Sequence, residues 1–174
     1  MRRTARRGND FGLRASGSIN FGRQKRLLFK FYGKIVDDFS MFCIDASVIV
    51  SAVRTTEQGS KQSSFFLKWM QDEGAKAFLP EIAVAEVAAG LARATKRPDA
   101  SYTFAVGLRN ISNFSFVAVD ARLADLSAEI AVRTGLRSAD AIYVALAYDY
   151  HLTLITLDRE QLIKSRSLIS VKEP

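Results

Sequence analysis

From Met41 onward the chain alternates between two kinds of apolar pattern. Short unbroken apolar runs occur at MFCID, KAFLP, FSFVAV, LTLITL and LISV. Each is a run of the length and composition of a buried strand. Between them apolar positions recur every three or four residues, the helical period. This predicts helices over ASVIVSAV, over SSFFLKWMQDEG with Gly74 as its stop, and over EIAVAEVAAGLARAT. Pro98 and Asp99 break the chain and open another helix through DASYTFAVGLRNI. ARLADLSAEIAVRTG carries Leu123, Leu126 and Ile130 along one stripe and ends at Gly135. SADAIYVALAYDYH is apolar on nearly every side and is read as a buried helix, and REQLIK as a short one, with LISV as a last edge strand. Short apolar strands separated by helices predict an α/β fold: a three-layer α/β/α sandwich with a central, mainly parallel sheet.

Charge divides the chain in two. The net charge is +7 and all of it resides in residues 1–40, where ten Lys and Arg face three Asp. Residues 1–40 are therefore read as a basic, poorly ordered N-terminal extension, with a short helix near QKRLLFKFYGKIV, and residues 41–174 as the folded domain. Met41 stands directly before the first strand, so a start-site artefact is the first account of the extension. A basic arm that binds nucleic acid and an organelle transit peptide are the second and third. A single cysteine, Cys43, excludes an internal disulfide and fits a reducing, cytoplasmic setting. No apolar run approaches the ~20 residues that span a bilayer, so no membrane attachment is expected. The single histidine, His151, excludes paired-histidine acid–base chemistry and multi-histidine zinc sites, and its place between a helix and a strand marks it as surface.

Candidate chemistry rests on four carboxylates. Asp45 and Asp158 each end a strand and open a helix, and each is explicable alone as a helix N-cap. Asp140 follows Ser138, read as the cap of its helix, and lies in the first turn, where the helix dipole favours negative charge. Glu86 has no such explanation. It is the one charge in IAVAEVAAG, and its neighbours three and four residues away are Ile82, Ala83, Ala89 and Gly90. A lone carboxylate on an apolar surface is costly unless it is paired. Asp45 and Asp158 sit at strand carboxyl ends, where open α/β sheets bind ligands. Four acids converging there would repel one another unless they shared a hard divalent cation, Mg2+ or Mn2+. Ser47 and Thr156, two residues from Asp45 and Asp158, are read as hydroxyls that orient a carboxylate or a water, or as ordinary turn residues.

These blocks resemble the PIN-domain family of metal-dependent ribonucleases. FCIDASVIV is similar to the family's first strand with its Asp and Ser, here Asp45 and Ser47. EIAVAEVAAGL is similar to the helix bearing the single Glu, here Glu86. LRSADAIYVALA is similar to the block whose Asp is Asp140, and LITLDREQL to the strand ending in Thr156 and Asp158. The blocks follow in this order, at separations of 41, 54 and 18 residues. The resemblance covers about residues 41–174, and the size of that part is similar to the VapC-like toxins of bacterial and archaeal toxin–antitoxin pairs.

The resemblance implies a metal-dependent endoribonuclease. Asp45, Glu86, Asp140 and Asp158 would hold one or two Mg2+ or Mn2+ ions, and in-line hydrolysis would leave a 5′-phosphate and a 3′-hydroxyl. It further implies an RNA substrate, a cognate antitoxin and a homodimer. Arg137, just before Ser138, is a phosphate-contact candidate, as are Arg93, Lys96 and Arg97, which a solvated helix end explains equally well. Phe65, Phe66, Trp69 and Met70 are read as core, with part of that stripe available to an antitoxin helix or a second protomer. Family members often carry an aromatic three residues after the last Asp. Gln161 stands there instead, a departure expected to affect packing more than chemistry. Alternatives are a PIN-type RNA-processing nuclease without an antitoxin and a non-catalytic RNA-binding module, which four acids near phosphates disfavour. An aspartate-based phosphotransferase of haloacid-dehalogenase type would need an acid where Ser47 stands.

Overall fold

The computed structural model describes residues 41–54 and 59–174. The expectations for residues 1–40, the QKRLLFKFYGKIV helix among them, lie outside the described residues.

Five strands form one wholly parallel sheet: β1 (Met41–Ile44), β2 (Lys76–Pro80), β3 (Phe114–Val117), β4 (Thr153–Ile155) and β5 (Val171–Lys172). Their spatial order is β3-β2-β1-β4-β5. The chain thus builds outward from β1 on one side, then crosses back to lay β4 on the other. β1 is consequently central, and Phe42, Cys43 and Ile44 are buried. Residues opposite one another include Phe42 and Ala77 on one side and Ile44 and Ile155 on the other.

Seven helices accompany the strands among the described residues: α1 (Ala46–Val53), α2 (Ser60–Asp72), α3 (Ile82–Thr95), α4 (Pro98–Gly107), α5 (Ala121–Thr134), α6 (Ser138–Asp149) and α7 (Arg159–Lys164). Two neighbouring residues of β1 reveal the layers. Phe42 packs edge-on against Phe66 and Trp69 of α2, with ring centroids 5.5 and 6.1 Å away. Cys43 turns its Sγ to the Tyr143 carbonyl of α6 at 3.6 Å. Successive strand side chains point to opposite faces, so α2 and α6 cover opposite faces of the sheet, as the α/β/α expectation requires. Of the α2 stripe, Phe66 and Met70 are buried and Phe65 and Trp69 half-buried. Burial of an aromatic such as Phe66 contributes about 1.5–3 kcal/mol.

Local chemistry sets the element ends. α5 begins at Asp120, whose Oδ1 accepts from Leu123 N at 2.9 Å, and stops at Gly135, whose φ of 68° a side chain would disfavour. Pro98 opens α4 in the first turn, where its missing N–H costs nothing. The last strand is Val171–Lys172 rather than LISV. Ser165 holds the intervening residues in a turn, its carbonyl accepting from Leu168 N and Ile169 N, which takes those amides from any ladder. No helix among the described residues is long and apolar enough to cross a membrane.

Candidate functional site

In an open parallel sheet, the neighbouring strands whose connections depart in opposite directions leave a crevice at their carboxyl ends. Here those strands are β1 and β4. Asp45 follows β1 directly and its backbone N–H donates to Ile155 O of β4 at 3.0 Å. α6 runs into β4 from the amino edge, so its first turn, with Asp140, stands at the carboxyl edge. Asp158 follows β4 by three residues, and Glu86 is in the second turn of α3, which leaves β2 at the same edge.

Asp45 and Asp158 are N-caps, as their local setting predicts. Asp45 Oδ1 accepts from Ser47 N at 2.8 Å, and Asp158 Oδ1 accepts from Glu160 N at 2.7 Å and Gln161 N at 3.0 Å. The two hydroxyls join the two caps. Ser47 Oγ accepts from Leu157 N at 3.1 Å, and the buried Thr156 Oγ1 accepts from Asp158 N at 3.0 Å.

Ser138 is a correction. It is the first residue of α6, and Arg137 holds the capping position with an extended backbone and no side-chain cap. Arg137 serves its helix differently. Its Nε donates to Asp140 Oδ2 at 2.9 Å and its Nη2 to Asp158 Oδ2 at 3.4 Å. The guanidinium bridges two carboxylates that the chain separates by 18 residues, while most of its side chain stays exposed. Arg93, Lys96 and Arg97 are also exposed, at the far end of α3, and His151 is exposed in the turn before β4.

The remaining acids influence one another through charge. Burial pushes the Asp45 carboxyl above its ordinary range. Hydrogen bonds from Ser47 and Gln161 pull it back, and the charge of Asp140 adds to the rise. Burial also raises Glu86, opposed by a hydrogen bond from Tyr143 and reinforced by Asp45 and Asp140. Asp45, Glu86 and Asp140 therefore form a mutually repelling triangle. Asp158 joins it by way of Arg137. Among the described residues no three acidic, cysteine or histidine side chains are grouped closely enough to grip an ion as they stand. The donor set nonetheless fits a hard divalent cation. It is all carboxylate oxygen, two of its members are held above their usual pKa by burial and like charge, and both effects would be relieved by a cation.

Tyr143 is a participant the sequence reading does not single out, and Gln161 is one it names only for packing. Tyr143 Oη donates to Glu86 Oε2 at 2.5 Å. It lies one turn after Asp140 on the same face of α6, and a hydroxyl in a nearly apolar helix was the available signal. Gln161 is wholly buried, and its Nε2 donates to Asp45 Oδ2 at 3.1 Å. The departure expected to concern packing therefore contacts the site itself. Gly90, one turn beyond Glu86, has a packing role: a Cβ there would come within 2.9 Å of Val50 Cγ2 of α1. The small residues of α3 bring it against α1, the helix that Asp45 caps.

No curated protein matches the chain. The PIN domain family matches residues 42–165, which span all four carboxylates. Among solved structures, the fold is similar to that of VapC20 from Mycobacterium tuberculosis, a sarcin–ricin loop cleaving toxin, at 15% identity and a TM-score of 0.62, covering 78% of this chain and 100% of that one. It is similar to FitAcB from Neisseria gonorrhoeae at 20% identity and a TM-score of 0.58, covering 77% and 98%. It is also similar to VapBC2 from Rickettsia felis, solved with a fragment of promoter DNA, at 11% identity and a TM-score of 0.58, covering 77% and 98%.

Proposed function

The chain belongs to the PIN-domain family, and from that premise we propose that it is a divalent-metal-dependent endoribonuclease, the toxin of a toxin–antitoxin pair. The observation that carries the reading is the triangle of Asp45, Glu86 and Asp140 at the switch point between β1 and β4. Burial, reinforced by the neighbouring carboxylates, raises the proton affinity of Asp45 and Glu86, a cost that a shared Mg2+ or Mn2+ would offset.

Asp45, Glu86 and Asp140 would hold the ion, with Asp158 contributing from beside Asp140. Bound there, the ion would supply hydroxide near neutral pH and offset charge building on the phosphate. The protein supplies the arrangement. Ser47 N and Gln161 fix the Asp45 carboxylate, Tyr143 holds Glu86, and Thr156 with Ser47 anchors the backbone on either side of Leu157. Arg137 has the exposure and the planar donors to meet a phosphate, releasing Asp140 and Asp158 as it does so. No histidine or covalent nucleophile is required.

The toxin reading, with a cognate antitoxin, a cytoplasmic setting and a homodimer, draws support from the likeness in fold to VapC20, FitAcB and VapBC2. Purified protein should cleave RNA with Mg2+ or Mn2+, leaving a 5′-phosphate and a 3′-hydroxyl, and stop with EDTA. Asp45→Asn and Glu86→Gln should each abolish cleavage. Undiminished activity in both would remove the site assignment. Growth arrest on expression, relieved by a small protein encoded beside it, tests the toxin role.

A further inference from the structure

Gln161 is the third residue of α7 and has no exposed surface. Its amide is used unevenly. Nε2 donates to Asp45 Oδ2 at 3.1 Å, while Oε1, equally buried, accepts no hydrogen bond from the described residues. The amide cannot simply turn over, because that would set Oε1 against a carboxylate oxygen, acceptor facing acceptor. A buried carbonyl left unpaired lowers stability. An apolar side chain of the same length would remove that penalty but leave the buried Asp45 Oδ2 without its donor. What the amide adds is its one bond, made across 116 residues of sequence to Asp45.

That bond completes a frame. Asp45 Oδ1 accepts from Ser47 N of α1 at 2.8 Å, and Oδ2 accepts from Gln161 of α7. With one donor on each oxygen, from two different helices, rotation about the carboxylate's own axis is fixed. α7 then serves the site twice, through Asp158 at its cap and Gln161 in its first turn.

We propose that Gln161 is a positioning residue for Asp45, its amide orienting the carboxylate for a divalent cation. The inference rests on the metal-dependent reading above and is tested apart from RNA cleavage. Groups that orient a metal-ligating side chain typically contribute 10–100-fold to metal affinity. Gln161→Met keeps the length and volume of the side chain and lacks the donor. Gln161→Leu is the second variant. Mn2+ is titrated into the full-length wild type and both variants without RNA, following the loss of the free-ion EPR signal, and thermal midpoints are measured in EDTA.

The expected result is that Mn2+ binding weakens by about tenfold in both variants, while their thermal midpoints in EDTA stay close to that of the wild type, the lost donor to Asp45 and the lost unpaired carbonyl offsetting one another. A side chain that served only packing would do the reverse. Equal Mn2+ affinity in wild type and variants overturns the positioning role and leaves the metal reading standing. A lost fold in both variants assigns Gln161 to the core and overturns it as well. Wild type that binds no Mn2+ at all overturns the metal reading, and this inference with it.

Discussion

The Tyr143 hydroxyl donates to Glu86 Oε2 at 2.5 Å and thereby ties α6 to α3 at the carboxyl edge of the sheet. Tyr143 is buried, and its burial among acids keeps the phenol far from ionising, so it acts as a donor throughout the physiological range. Glu86, first seen as a charge with no partner in its own helix, has one 57 residues away. Tyr143→Phe removes that donor and leaves the ring. We expect a loss of about 1–2 kcal/mol in urea unfolding, toward the lower end for a hydrogen bond to a charged group because Glu86 is half-buried. RNA cleavage should fall with it, and a variant as stable and active as wild type would show that the bond holds nothing in place.

Acid should relieve the site. Burial raises both Asp45 and Glu86 in the folded protein, so the native state binds more protons than the unfolded chain between the unfolded and folded pKa values. Stability therefore declines as pH rises through that window, and the penalty is complete above the folded values. In EDTA at neutral pH, Asp45→Asn and Glu86→Gln should each melt higher than wild type, and the advantage should fade below pH about 4, where both carboxyls are protonated in either state. Asp45→Asn has a second reason to be stable. The Gln161 amide can turn over and let Oε1 accept from the new amide. Melting curves from pH 3 to 8 decide the sign.

Added cation should have the opposite preference. Mn2+ should raise the melting temperature of wild type and leave Asp45→Asn and Glu86→Gln unmoved, because an ion that binds the native state alone stabilises it by an amount that grows with the logarithm of its concentration over Kd. Chelation should return wild type to its EDTA value. A rise of equal size in wild type and both variants would place the ion elsewhere.

Arg137 bridges Asp140 and Asp158 from an exposed position, so the pairs themselves contribute little to stability. Arg137→Gln should leave the melting temperature nearly unchanged. It should tighten Mn2+ binding, since a competing cation is gone. It should also weaken RNA binding and lower its salt dependence by about one released counterion. Loss of metal affinity together with RNA affinity would contradict the exchange of partners described for this residue.

Gly90 tests how Glu86 is delivered. Gly90→Ala gains about 1 kcal/mol of helix propensity but drives a methyl to within 2.9 Å of Val50 Cγ2, and a β-branched side chain in a helix strongly prefers a single rotamer. Overpacking of this kind costs about 1–3 kcal/mol, so we expect a net loss of ~1 kcal/mol. Val50→Ala should rescue it. A double-mutant cycle in urea measures the coupling, and additivity would mean that the two helices are free to part.

Much of this was legible from local pattern. The alternation of apolar runs and helical periods gave the layered α/β fold, and Asp45 and Asp158 behave as the caps their flanking residues predict. The misreadings were local too. Ser138 resembles a cap, yet the helix starts on it, and LISV has a strand's composition but is bent by the bonds that Ser165 makes to the amides beyond it.

The sequence by itself determined which residues could enter the site, because caps, strand ends and helix faces are set by neighbours a few positions away. Tertiary structure decided how they meet. Asp45 reaches Gln161 because crossing back from β3 lays β4, and α7 behind it, alongside β1. Glu86 reaches Tyr143 because helices covering opposite faces meet at the sheet's carboxyl edge. Those contacts follow from strand order and layer, and neither property is carried by any short stretch of the chain.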